Sequence, residues 1–245
     1  APPTSLSVTT TGTGVLALNA NVTTSGAQNY TATGGITING NRTLTSTTPA
    51  LITLASALNG NSNTLTITGN AAINGAITSV TPLGVSGTTS IGANISTTGT
   101  QTYTGAVTLT TASPTLTATS NTIGFGSTVD SSGGTRSLTF GSGTGTVTFT
   151  GAVGSISPLG TITNIIGQQL TFSSGVAATT IANYGTLLFQ SSTAQTVSAN
   201  ITDNGTTIVQ VIDSTDGAPE VITFSGNVAA DIITIGTTSK AGSAL

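Results

Sequence analysis

The chain has no cysteine, histidine, methionine or tryptophan. Without thiol or imidazole it has no zinc site of the usual kind and neither thiol nor imidazole catalysis. No disulfide can form, which leaves the compartment open. Charge is nearly as scarce: 4% of the residues are Asp, Glu, Lys or Arg, against roughly a quarter in an ordinary soluble domain. The cations are Arg42, Arg136 and Lys240, too few and too scattered to track a phosphate backbone, so no nucleic-acid partner is expected. Long apolar runs are missing as well. The most apolar stretch is IVQVI at Ile208–Ile212, far short of a membrane-spanning helix, so no membrane insertion of that kind is expected. Glu, Lys, Arg and Met, which fill helix surfaces, hardly occur, while Thr, Val and Ile abound; the chain reads as β throughout.

Thr, Ser, Asn and Gly take the place of charge. Hydroxyls and amides keep such a surface wet, but a net charge of −3 gives neighbouring molecules little mutual repulsion, and association is the default expectation. Strand patterns are short and alternate with period two. TLTIT at Thr64–Thr68 sets Leu65 and Ile67 on one side and threonines on the other, the mark of a strand with one buried and one hydroxylated face. Glycine and asparagine punctuate nearly every break.

Two blocks recur. NGAITSVTPLG at Asn74–Gly84 returns as TGAVGSISPLG at Thr150–Gly160, with six of eleven positions identical. NVTTSGAQNYT at Asn21–Thr31 returns as NISTTGTQTYT at Asn94–Thr104, again with six of eleven. A shared period of roughly 75 residues predicts stacked supersecondary units, three or four coils of roughly twenty residues each. The expected fold is all-β: a parallel β-helix, or β-solenoid, of short Thr/Val/Ile-rich coils. Val153 and Ile156 are read as feeding its core. Pro82 with Gly84, and Pro158 with Gly160, are read as turning the chain, and Ala72, Ala76, Ala106 and Ala152 suit tight corners. Asn-Gly pairs at Asn39, Asn59, Asn74 and Asn204 keep an antiparallel β-sandwich, completed by donor-strand exchange, as the alternative. Residues 1–195 form the expected solenoid. Residues 196–245, which hold five of the six acids, read as a more acidic C-terminal β region acting as cap or assembly segment.

The blocks TGAVGSISPLG and ANISTTGTQTYTGAVTL resemble the repeats of bacterial β-strand-repeat surface proteins, the filamentous-haemagglutinin-like exoproteins and the passenger regions of rickettsial-type autotransporters. The likeness runs over about residues 15–190 and fades in the acidic part. It implies a right-handed β-helix, export, an extracellular or cell-surface location and a structural or adhesive role. A secretion-domain signature and an aromatic-tipped membrane barrel, both known in such families, are not recognisable here, which suits a fragment or a short relative.

Candidate chemistry is thin. Asp213 and Asp216, in DSTDGAPE, have part of the spacing of a calcium loop, but Asp, Gly and Pro are equally the residues of a solvated turn. No other cofactor is implied. The facing carboxylates of a glycosidase, or the base and cation of a lyase, are not visible, so catalysis is not expected. Tyr30, Tyr103 and Tyr184 recur near turns, where they either cover coil corners or stack on sugars. Six N-x-S/T sequons make Asn21, Asn29, Asn41, Asn94, Asn200 and Asn204 candidate glycan acceptors. A solenoid without charged caps exposes strand edges that pair with other chains. The expected partner is therefore a second copy, joined end to end or by strand donation into a fibre, surface layer or adhesin stalk. The alternative partner is a host or matrix glycan bound by an adhesin.

Overall fold

The computed structural model describes residues 1–48, 50–111, 113–205, 207–213 and 221–237. Among them every regular element is a β-strand. All pairings between these strands are parallel, each strand meeting its counterpart one coil away, which makes the chain a parallel β-solenoid of about ten turns. Parallel register between all these strands sets aside the antiparallel sandwich: the Asn-Gly pairs at Asn39, Asn74 and Asn204 sit between strands where the chain bends onward, and Asn59-Gly60 lies within the strand Leu58–Thr68, none of them closing a hairpin.

Each coil has three faces. The first is built by Leu6–Thr10, Gln28–Ala32, Leu51–Leu54, Asn70–Ile73, Thr89–Ile91, Val107–Leu109 and Val129–Ser131, stacked in that order. Single bridges from Val129 to Val153 and from Val153 to Val176 carry it on. The second face starts at Leu16–Leu18 and Ile36–Ile38, and the third at Val22–Thr24 and Arg42–Ser46. Two longer strands, Leu58–Thr68 and Ile77–Val85, bend around the corner between these two faces and belong to both. Coils vary in length: the step from Asn70 to Thr88 takes 18 residues, that from Ala32 to Ser56 takes 24, and that from Ser198 to Ser225 takes 27. Parallel stacking continues past residue 195 into the acidic part, as far as Ile232–Thr237.

Why these residues coil follows from the alternation. In Ile36–Ile38, Val107–Leu109 and Val147–Phe149 the outer two side chains are buried and the middle threonine is not. The inward residues stack rung upon rung. On the third face one column runs Val22, Leu44, Ile67, Val85, Tyr103, Phe125, Phe149, Phe172, Phe189, Val211 and Ile235. Its aromatic part is a true stack, with centroids 5.4, 4.8, 4.9 and 5.3 Å apart from Tyr103 to Phe189 and planes within 16° of parallel. Parallel registry imposes that spacing, since successive strands lie about 4.8 Å apart, and each ring pair contributes about 0.5–1.5 kcal/mol beyond the burial of its area. Full burial of each Leu, Ile, Val or Phe contributes about 1.5–3 kcal/mol relative to exposure.

The recurring blocks are corners. In NGAI and TGAV the glycine lies where one coil passes over the next: a Cβ on Gly75 would stand 2.0 Å from the carbonyl carbon of Ser56, and one on Gly151 2.4 Å from that of Ser127. No side chain fits there, so glycine is required by approach. The inward Ile77 and Val153 follow, both buried. Yet the two copies do not occupy the same corner. Ile77 lies on the second face and Val153 on the first, and Gln28 lies on the first face but Gln101 on the third. Both periods amount to three coils and two further faces.

Candidate functional site

Two polar clusters of the interior share one kind of corner, apart from a buried pair in which Asn164 Nδ2 donates to Asn183 Oδ1 at 2.8 Å. In the first copy Tyr30 Oη donates to Gln28 Oε1 at 2.7 Å, while Gln28 Nε2 donates to Thr24 Oγ1 at 3.1 Å and to the Thr45 carbonyl at 2.8 Å. In the second, Tyr103 Oη donates to Gln101 Oε1 at 3.0 Å, and Gln101 Nε2 reaches Thr97 Oγ1 at 3.2 Å and the Thr117 carbonyl at 2.7 Å. The threonine hydroxyls pass the chain on to the Gly26 and Gly99 carbonyls, each at 2.6 Å. All six side chains are buried, so neither Tyr30 nor Tyr103 presents a ring to sugar. Burial raises the phenol pKa of both well above its ordinary value, because the phenolate would be stripped of water. Tyr184 is half-buried in a turn, its backbone N–H donating to Asn164 Oδ1 at 2.7 Å.

A third glutamine stands in similar sequence. Gln195 has Ser191 four residues before it and Val197 two residues after, where the other copies have threonine and tyrosine. It points inward and is 6% exposed, yet neither Nε2 nor Oε1 has a partner.

The sequon asparagines are explained by the same architecture. Oδ1 of Asn21, Asn41, Asn94 and Asn200 accepts the backbone N–H of Thr43, Thr64, Thr115 and Asn227 on the next coil, at 2.9, 3.0, 2.9 and 3.0 Å. Asn70 does the same for Thr88 without being a sequon. A corner asparagine, a strand residue and an outward threonine or serine form N-x-S/T by geometry alone. All four are exposed, as is Asn204, whose Nδ2 donates to Thr202 Oγ1 at 2.9 Å; Asn29 is half-buried on the first face.

Pro82 and Pro158 are exposed corner residues, each followed by a buried leucine, Leu83 or Leu159. Gly84 pairs with Thr66 and Thr102 on the third face. The Gly160 N–H donates to the Arg136 carbonyl at 2.8 Å. Ile156, expected inside, is 86% exposed, although its counterpart Val80 is fully buried. The cause is Asp130, which sequence reading passed over: its Oδ1 accepts the N–H of Ile156 at 2.8 Å and of Ser157 at 3.2 Å. The Gly154–Pro158 loop is thereby held over the outer side of the strand beneath, and Ile156 points away from the lumen.

Four of the charged side chains among the described residues tie down backbone groups. Arg42 Nε donates to the Leu18 carbonyl at 2.9 Å and Arg136 Nε to that of Ser132 at 3.0 Å. Asp203 Oδ1 accepts the Gly205 N–H at 3.0 Å and Asp231 Oδ2 that of Thr207 at 2.9 Å. Of the calcium candidates, Asp216 lies outside the described residues and Asp213 is described only as the last residue of the strand Ile208–Asp213. Among the described residues no three His, Cys, Asp or Glu side chains gather as a metal site would require, and no helix is long and apolar enough to cross a membrane. A shallow polar groove lies between Ala178, Thr179, Ser198, Ala199, Asn200, Ser225 and Gly226.

No protein-family model, no curated protein and no solved structure matches the chain.

Proposed function

We propose that the chain is an extracellular structural protein, the rod of a self-associating fibre, surface layer or adhesin stalk. The observation that carries this reading is the continuity of the solenoid. One column of paired rungs on the third face runs from Val22 to Ile235, within hydroxyl-bearing, almost uncharged faces. At the ordinary strand spacing the rod is roughly 50 Å long. A scaffold needs length and stiffness, and both follow from the continuous parallel ladder. The resemblance to filamentous-haemagglutinin-like and autotransporter-passenger repeats supports export and surface display. Negative-stain imaging and light scattering over a concentration series test the reading: ordered rods or sheets are expected, and a monodisperse monomer at high concentration overturns it.

The polar groove beside Asn200 favours a second reading, an adhesin that takes a glycan on its outer faces. Saturable binding on a glycan array by a chain that stays monomeric would select it over the first.

A further inference from the structure

The last described coil differs from those above it. In the third-face columns Leu187 and Phe189 are fully buried, Val209 is 1% exposed and Val211 half-buried, while Ile233 and Ile235, the rungs that follow Val209 and Val211, are 56% and 68% exposed. Phe224, in the corresponding place on the first face, is half-buried and leans edge-on against Phe189 at 5.3 Å. Among the described residues, then, no further coil covers Ile232–Thr237, and its apolar side chains and parallel strand edge face outward.

The opposite end offers a matching surface. Leu6 and Val8 on the first face, Leu16 on the second and Val22 on the third point inward and are only half-buried, since no described coil lies above them. Each end has the same three faces in the same order and the same parallel strand sense. Neither opposes the other with charge: residues 1–24 hold no charged side chain, and Asp231, the one acid among residues 221–237, is tied to the Thr207 amide.

We propose that the open end formed by Ile233, Ile235 and Phe224 docks the N-terminal coil of a second copy of this 245-residue chain, so that copies stack head to tail and the columns run on from one to the next. This rests on the assembly reading and gives it a polarity. Parallel pairing is the mode that the described strands use throughout, and head-to-tail stacking is the arrangement that preserves it; two like ends meeting would have to pair antiparallel.

The test uses one blocked end at a time in the full chain: Ile235→Asp at the C-terminal end and Val8→Asp at the N-terminal end, with circular dichroism confirming the β fold. Should either aspartate variant lose that fold, Ile235→Thr and Val8→Thr replace the pair. In light scattering each variant alone is expected to be monomeric, and an equimolar mixture to give a one-to-one dimer with no larger species. A dimer of Val8→Asp alone means that C-terminal ends meet each other, a dimer of Ile235→Asp alone that N-terminal ends do, and either result overturns the proposal. A mixture that stays monomeric overturns it too. Association of both variants to wild-type extent points to lateral contacts, which defeats head-to-tail stacking while leaving the assembly reading standing. A wild-type monomer that associates once residues 238–245 are removed shows that this tail covers the end, and also overturns it.

Discussion

Gln101 and Gln195 are inward glutamines in related stretches of sequence, and the chain treats them oppositely. Around Gln101 a tyrosine two residues on donates to the amide oxygen, and a threonine four residues back accepts from the amide nitrogen. Around Gln195 the tyrosine is a valine, and both amide atoms are left alone. A buried amide stabilises only when its partners are present, because the cost of desolvating it is fixed while the gain depends on neighbours. The comparison separates a polar knot that holds two faces together from the remnant of one.

The largest effect should come from Gln101→Leu. It leaves the Tyr103 hydroxyl without its acceptor and takes from the Thr117 carbonyl the nearer of its two side-chain donors, and is expected to destabilise by about 2–4 kcal/mol, measured by denaturant unfolding. Alkaline pH attacks the same knots. Both buried tyrosines have pKa values raised by desolvation, so the folded state keeps its protons while the unfolded chain loses them above about pH 10. Stability is full below that pH and falls as pH rises toward the folded-state values, by about 1.4 kcal/mol from Tyr103 for each further pH unit, with Tyr30 adding to the slope. Tyr103→Phe should cut that slope by about half, and at neutral pH should cost about 1–2 kcal/mol, because Gln101 Oε1 loses its donor. The smallest effect has the opposite sign: Gln195→Leu removes an orphaned amide and is expected to be neutral or to stabilise by about 1 kcal/mol. Equal losses from Gln101→Leu and Gln195→Leu would show that the two corners do not differ energetically.

Much of the fold was legible because burial alternates in most strands and Thr/Val/Ile strands are cut by glycine and asparagine at most corners. TLTIT and TVTFT stand as the pattern requires. The repeat was visible too, with Gly, Gln and Tyr shared by its two copies. What the Q-x-Y spacing implied was missed: residues two apart share a side of a strand, so the tyrosine faces inward with the glutamine and needs a partner there. Ile156 was misplaced because the outcome depends on Asp130, 26 residues earlier, and no local pattern reports a bond of that range. The face to which a block belongs was also hidden, because corner chemistry is local while face identity depends on the count of turns between.

That last point bears on how such a chain can lengthen. Related segments lie three turns and two faces apart, so the copies differ by a rotation about the rod axis that is not a whole turn. If they arose by duplication, the insertion did not have to close a circle to be accommodated, because any side of the prism accepts a strand of the same alternation. Growth in steps of one side places far fewer demands on where a copied segment begins and ends than growth in whole turns would.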